Sequence, residues 1–155
     1  MGQLKGCPFF VLERWMMDDA VIRSLEAAAG QGDPGPIVYA RLFAAHPELE
    51  ALFVRDRDGS VRGHMFQEMI NALIDLRGAN IYGANLFRIE RVNHEQLGVK
   101  PELYPAIFAI LRDVVRDMAA QAWTDEMERA WSGLLAQVDA LLQPDIGYAA
   151  ADSPA

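Results

Sequence analysis

Apolar residues recur at three- and four-residue steps along nearly all of this chain, and the alternation of a half-buried strand is scarce. A 3.6-residue repeat gathers apolar side chains into one stripe, so the chain must fold as packed helices. Proline and glycine cut the pattern into segments. The first helix is expected from Asp18 to Ala29, with Ile22, Leu25 and Ala29 on one face, and the Gly30 to Pro36 run ends it. A second spans about Pro36 to His46 and uses Val38, Leu42 and Phe43; Pro47 breaks it and opens a short turn through Leu52 and Phe53. Arg55 to Ser60 reads as a solvated loop with Ser60 as helix N-cap.

The next helix, Val61 to Leu76, is amphipathic. Met65, Met69, Ala72 and Leu76 form one stripe, flanked by Phe66, Ile70 and Leu73, with His64, Glu68, Asn71 and Asp75 opposite. A glycine- and asparagine-rich loop leads to a shorter helix, Leu86 to about Glu95. Two long helices follow, Pro101 to about Ala122 and Thr124 to about Leu142, the latter capped by Thr124. The fold class expected is all-α, about seven helices, in one domain over residues 18–143, between an N-terminal extension (1–17) and a flexible tail (144–155).

The 155 residues are 52% hydrophobic and 23% charged, enough apolar material for one sizeable core. A formal net charge of −8 argues against nucleic acid or an anionic membrane as partner, since a basic footprint is missing. No run approaches the roughly 20 apolar residues of a membrane span. Pro8 to Leu12 is too short for a secretory core of about 7–15 residues, so a cytoplasmic protein is expected. Cys7 is the single cysteine; it excludes an internal disulfide and reads as a bystander.

His94 is the residue of greatest chemical interest. A neutral imidazole followed by a Gly98 turn, the β-branched Val99 and Pro101 suits an axial ligand to haem iron. The run Val38 to Phe53, with Tyr39, Leu42-Phe43, His46-Pro47-Glu48 and Leu52-Phe53, resembles the second and third helices of bacterial haemoglobins. It looks most like the globin part of flavohaemoglobins and their single-domain relatives. His94 with Gly98-Val99, Tyr104, and Ala130-Trp131 fall in the same family order, so the likeness covers roughly residues 18–143.

That resemblance implies a globin fold around haem b, with His94 as proximal iron ligand. It implies that Phe53 stacks on the porphyrin and that Tyr39 offers its hydroxyl to the distal pocket. Phe43 belongs to the same cofactor-binding set. Val99, Tyr104 and Ile107 would line the proximal side, and Met65 and Met69 would lie over the iron. His64 shares the polar face and is expected near the surface or the haem edge. His46 matches a helix-end histidine of structural kind. Two departures stand out: Glu90 replaces apolar packing one turn before His94, and Ile146, beside Asp145, falls where the family carries a glutamate next to the proximal imidazole. Arg88 and Arg91 are candidates for a propionate.

The function implied is reversible binding of O2, with CO and NO, by a gas-binding protein rather than an enzyme. Because the chain ends soon after its last helix, any turnover is expected to need a separate reductase. The family's dimers use the last two helices, which makes a homodimer the corresponding expectation. Two alternatives differ in class. One is an NO dioxygenase fed by a separate reductase. The other is a haemless or sensor globin acting through protein contacts, with Phe9, Phe10 and Trp15 as docking surface.

Overall fold

The computed structural model describes residues 19–144. The expectations for Cys7, Phe9, Phe10, Trp15, Asp145, Ile146, and the extension and tail generally, lie outside the described residues. Among the described residues there are seven α-helices: α1 (Ala20–Ala29), α2 (Pro34–Ala45), α3 (Pro47–Glu50), α4 (Ser60–Arg77), α5 (Gly83–Gln96), α6 (Ala106–Ala119) and α7 (Asp125–Leu142). Short 3-10 turns follow α3 (Ala51–Phe53) and α6 (Ala120–Ala122). No helix among them is long and apolar enough to cross a membrane.

α6 runs through the centre, packed on α1 and α2; α4 lies on α2 and α5, and α7 closes over α1 and α5. Leu111, Val114 and Val115 of α6 are wholly buried. Trp131 anchors α7: its indole N–H donates to Ser24 Oγ at 2.8 Å, and that hydroxyl donates to the Val21 carbonyl at 2.6 Å. A buried donor is thereby satisfied across two helices. On α1 Val21, Ser24 and Ala28 face inward together with the expected Ile22, and Leu25 packs against the core; of the expected stripe Ala29 alone is exposed.

α7 is capped by Thr124 and ends at Leu142 as expected, whereas three other helix starts differ for physical reasons. α6 starts at Ala106, not Pro101, because Pro105 lacks the N–H an α-helix interior requires; residues 101–105 form turns instead. Ser60 is the first residue of α4 and not its cap. The Asp56 carboxylate accepts from the N–H groups of Val61 (2.9 Å) and Arg62 (3.0 Å) and from Arg62 Nε (2.8 Å). Asp56 is buried, so the supposedly solvated loop turns inward there. Burial pushes its carboxyl up, but these donors outweigh that and hold it below the usual carboxylate range.

Asp75 does the same for α5. Its carboxylate takes the N–H groups of Ile81 (3.1 Å), Tyr82 (3.0 Å) and Gly83 (2.7 Å), starting α5 three residues before the expected Leu86. At Gly83 the two helices touch. A Cβ there would sit 2.6 Å from the Ala72 carbonyl oxygen and 3.0 Å from Asp75 Oδ2. Gly83→Ala should therefore cost about 1–3 kcal/mol, since backbone must move to relieve overpacking. Urea denaturation checks this; an unchanged midpoint would mean that α4 and α5 are not in contact at Gly83.

Candidate functional site

Two cavities open between α2, α4, α5 and α6. The first, of about 310 Å³, is lined by Tyr39, Phe53, Met65, His94, Val99 and Ile107, among others. The second, of about 370 Å³, has walls that include Met69, Phe87, Glu90 and Phe108. Tyr39, Met65, His94, Tyr104 and Ile107 belong to both. Each has the size and apolar walls of a small-molecule or cofactor site, typically about 300–1,000 Å³.

His94 sits in the last turn of α5. Its Nδ1 lies 2.7 Å from the Glu90 carbonyl oxygen. A carbonyl only accepts, so Nδ1 carries the proton, and the lone pair stays on Nε2. Nε2 has no hydrogen-bond partner among the described residues. The ring lies against Tyr104, centroids 4.6 Å apart, and Tyr104 meets Phe108 edge-on at 5.9 Å. Gly98, at φ 90°, takes a backbone conformation that glycine adopts cheaply. The turn lets the Val99 N–H reach the His94 carbonyl at 2.9 Å and delivers buried Val99 to the cavity wall.

Tyr39 occupies the buried face of α2, 5% exposed, and its hydroxyl has no hydrogen-bond partner among the described residues. The hydroxyl is not among the sealed, unpartnered polar atoms, so its free donor opens onto the cavities that Tyr39 lines. Burial pushes its pKa up to about 12, with Arg62 pulling down and Asp56 pushing further up. The hydroxyl thus stays protonated at neutral pH. Burial and the Glu90 charge likewise raise Tyr104.

Behind Tyr39 an aromatic triangle sets the wall. Phe53 meets Tyr39 at 5.7 Å and Phe43 at 5.5 Å, and Phe43 meets Tyr39 at 5.8 Å. Phe43 itself lines neither cavity; it stands one layer back, on a separate groove between α1, α2 and α4. Met65 and Met69 are half-buried, with the fully buried face of α4 carried by Phe66, Ala72, Leu73 and Leu76. The methionines border cavities in place of helices, which explains their partial exposure. His64 is exposed and touches the second cavity at its rim.

Arg88 and Arg91 line neither cavity: Arg88 reaches Asn85 at 3.3 Å and Arg91 pairs with Glu95 at 2.7 Å. Arg55 does line one, beside Leu49, Leu52, Leu97 and Leu103. Sequence reasoning passed over these. The leucines adjoin the Phe53 and Val99 segments, a proximity that could have flagged them.

An apolar space between helices, with an unpartnered imidazole nitrogen and an unpartnered phenol on its walls, offers a donor set that fits haem. The globin family's profile matches residues 37–142, and the chain belongs to that family. It is 30% identical over 120 residues to a flavohemoprotein of Rhizobium meliloti (strain 1021), covering 70% of this chain and 28% of that protein. Flavohemoprotein A of Dictyostelium discoideum is 31% identical over 104 residues, 64% of this chain and 25% of that one. The chain thus spans about a quarter of the length of these relatives. No solved structure matches it.

Proposed function

We propose that the chain holds haem b through His94 Nε2 and binds O2, with CO and NO, reversibly on the side where Tyr39 waits. Support comes from one pairing above all: an imidazole with its lone pair free and a buried phenol with its donor free border the same cavities. Haem iron, when bound, supplies a coordination position for a small gas.

The chain's own residues do the rest. The Glu90 carbonyl fixes the His94 tautomer and ring orientation. Leu42, Leu49, Val99 and Ile107 exclude water from the cavity they line. Tyr39 donates a hydrogen bond to a ligand that gains negative charge on binding, and in a low-dielectric pocket that bond is strong. Met65, on both walls, packs against the ligand without a competing donor.

Tyr39→Phe keeps the ring and removes the donor. A hydrogen bond to a charge-bearing ligand contributes about 1.5–3 kcal/mol, so O2 should leave about 10- to 100-fold faster. CO, which gathers less charge, should change little. Ligand-displacement kinetics on the haem-loaded protein measure both. Equal O2 dissociation from the variant and the parent removes Tyr39 from the ligand's surroundings.

A further inference from the structure

We propose that Glu90 is a positioning residue whose carboxylate charge strengthens His94 as an electron donor to bound iron, an inference that rests on the haem ligation proposed above. One turn separates the two residues on α5, so helical geometry stacks them. Glu90 Oε2 lies 3.6 Å from His94 Nδ1, and its other oxygen accepts from Asn93 Nδ2 at 3.2 Å. At that separation the carboxylate does not replace the carbonyl as hydrogen-bond acceptor; it acts through its charge. Neighbouring Arg91 is engaged by Glu95 at 2.7 Å, and among the described residues no arginine or lysine comes within 4.0 Å of the Glu90 carboxylate. No cation there neutralises the charge, which bears on the imidazole and on neighbouring Tyr104.

A negative charge beside Nδ1–H draws the proton outward and makes Nε2 a stronger electron donor to a bound metal. A more strongly donating axial ligand favours ferric over ferrous iron. The Glu90 side chain is 36% exposed and that of His94 18%, so water screens part of the effect and its size is moderate.

Glu90→Gln keeps the size and the backbone carbonyl while deleting the charge. In the haem-loaded protein, the ferric/ferrous equilibrium constant should shift toward ferrous by about three- to tenfold, by Coulomb's law at intermediate dielectric. The iron–histidine stretch, read by resonance Raman on the ferrous form, should move to lower frequency. Glu90→Asp should fall between the two. Parent-like potential and stretch in haem-loaded Glu90→Gln overturn the role of Glu90 alone. A parent chain that takes up no haemin overturns the ligation and the Glu90 role together.

Discussion

His94→Ala should abolish tight haemin uptake. Titrating haemin into the haem-free parent should produce a sharp Soret band with a one-to-one endpoint, whereas the variant should give a weak, broad and shifted one. Loss of a residue that merely orients a metal ligand costs about 10- to 100-fold in affinity, so loss of the ligand itself should cost at least about 100-fold. Residual binding is expected, because the apolar walls contributed by Phe53, Val99 and Ile107 remain and still favour a flat hydrophobic guest. Smaller His94→Gly leaves room for free imidazole, which should restore the band when added. Haem retained by His94→Ala with an unchanged ferrous spectrum would mean that another side chain is the ligand.

Trp131→Ala should be the most damaging single change to stability. Trp131 is wholly buried and the largest such side chain among the described residues. Truncating a buried tryptophan costs about 3–5 kcal/mol. Here it also deprives Ser24 of its indole donor, while Ser24 keeps its own bond to Val21. Against a total of about 5–15 kcal/mol for a domain, that loss is a large fraction. Trp131→Phe, which keeps most of the volume and loses the hydrogen bond, should cost about 1–2 kcal/mol. Urea unfolding of the three proteins should rank them in that order. A Trp131→Ala midpoint near the parent's would mean that α7 does not pack on α1 through this residue.

The site residues were legible to unequal degrees. His94, Gly98 and Val99 could be read together because a helix end, a turn and the following residue are consecutive, and turn chemistry is local. Tyr39 and Phe53 could be named from motif resemblance, but not the freedom of the Tyr39 hydroxyl, since its surroundings come from other helices. Phe43 shows the limit in another way. An aromatic beside a pocket motif reads like a pocket residue; Phe43 shares the face of Tyr39 one turn on, yet it packs on Tyr39 and Phe53 and lines the neighbouring groove in place of either cavity. Glu90 read as a fault in an apolar face; in three dimensions its carbonyl and its carboxylate both border the imidazole.

Local rules reach as far as the segments they govern. Apolar periodicity alone was enough to make the chain all-helical, and it located α2, α4, α5 and α7 to within a few residues, because a stripe is a property of neighbours along one helix. Thr124 caps α7 as read, accepting from the Met127 N–H at 3.2 Å, but other helix starts depend on groups further off. Asp75 on α4 starts α5, Asp56 starts α4 from beyond its first turn, and Asp19 caps α1 (2.9 Å to the Val21 N–H) while holding Arg77 of α4 at 2.6 Å. A carboxylate settles on whichever buried donors the folded chain brings within hydrogen-bond reach, and that choice depends on packing. The meeting of Tyr39 and His94 at one cavity follows from the same cause. Fifty-five positions separate them in the chain, and only the stacking of α2, α4, α5 and α6 closes that gap.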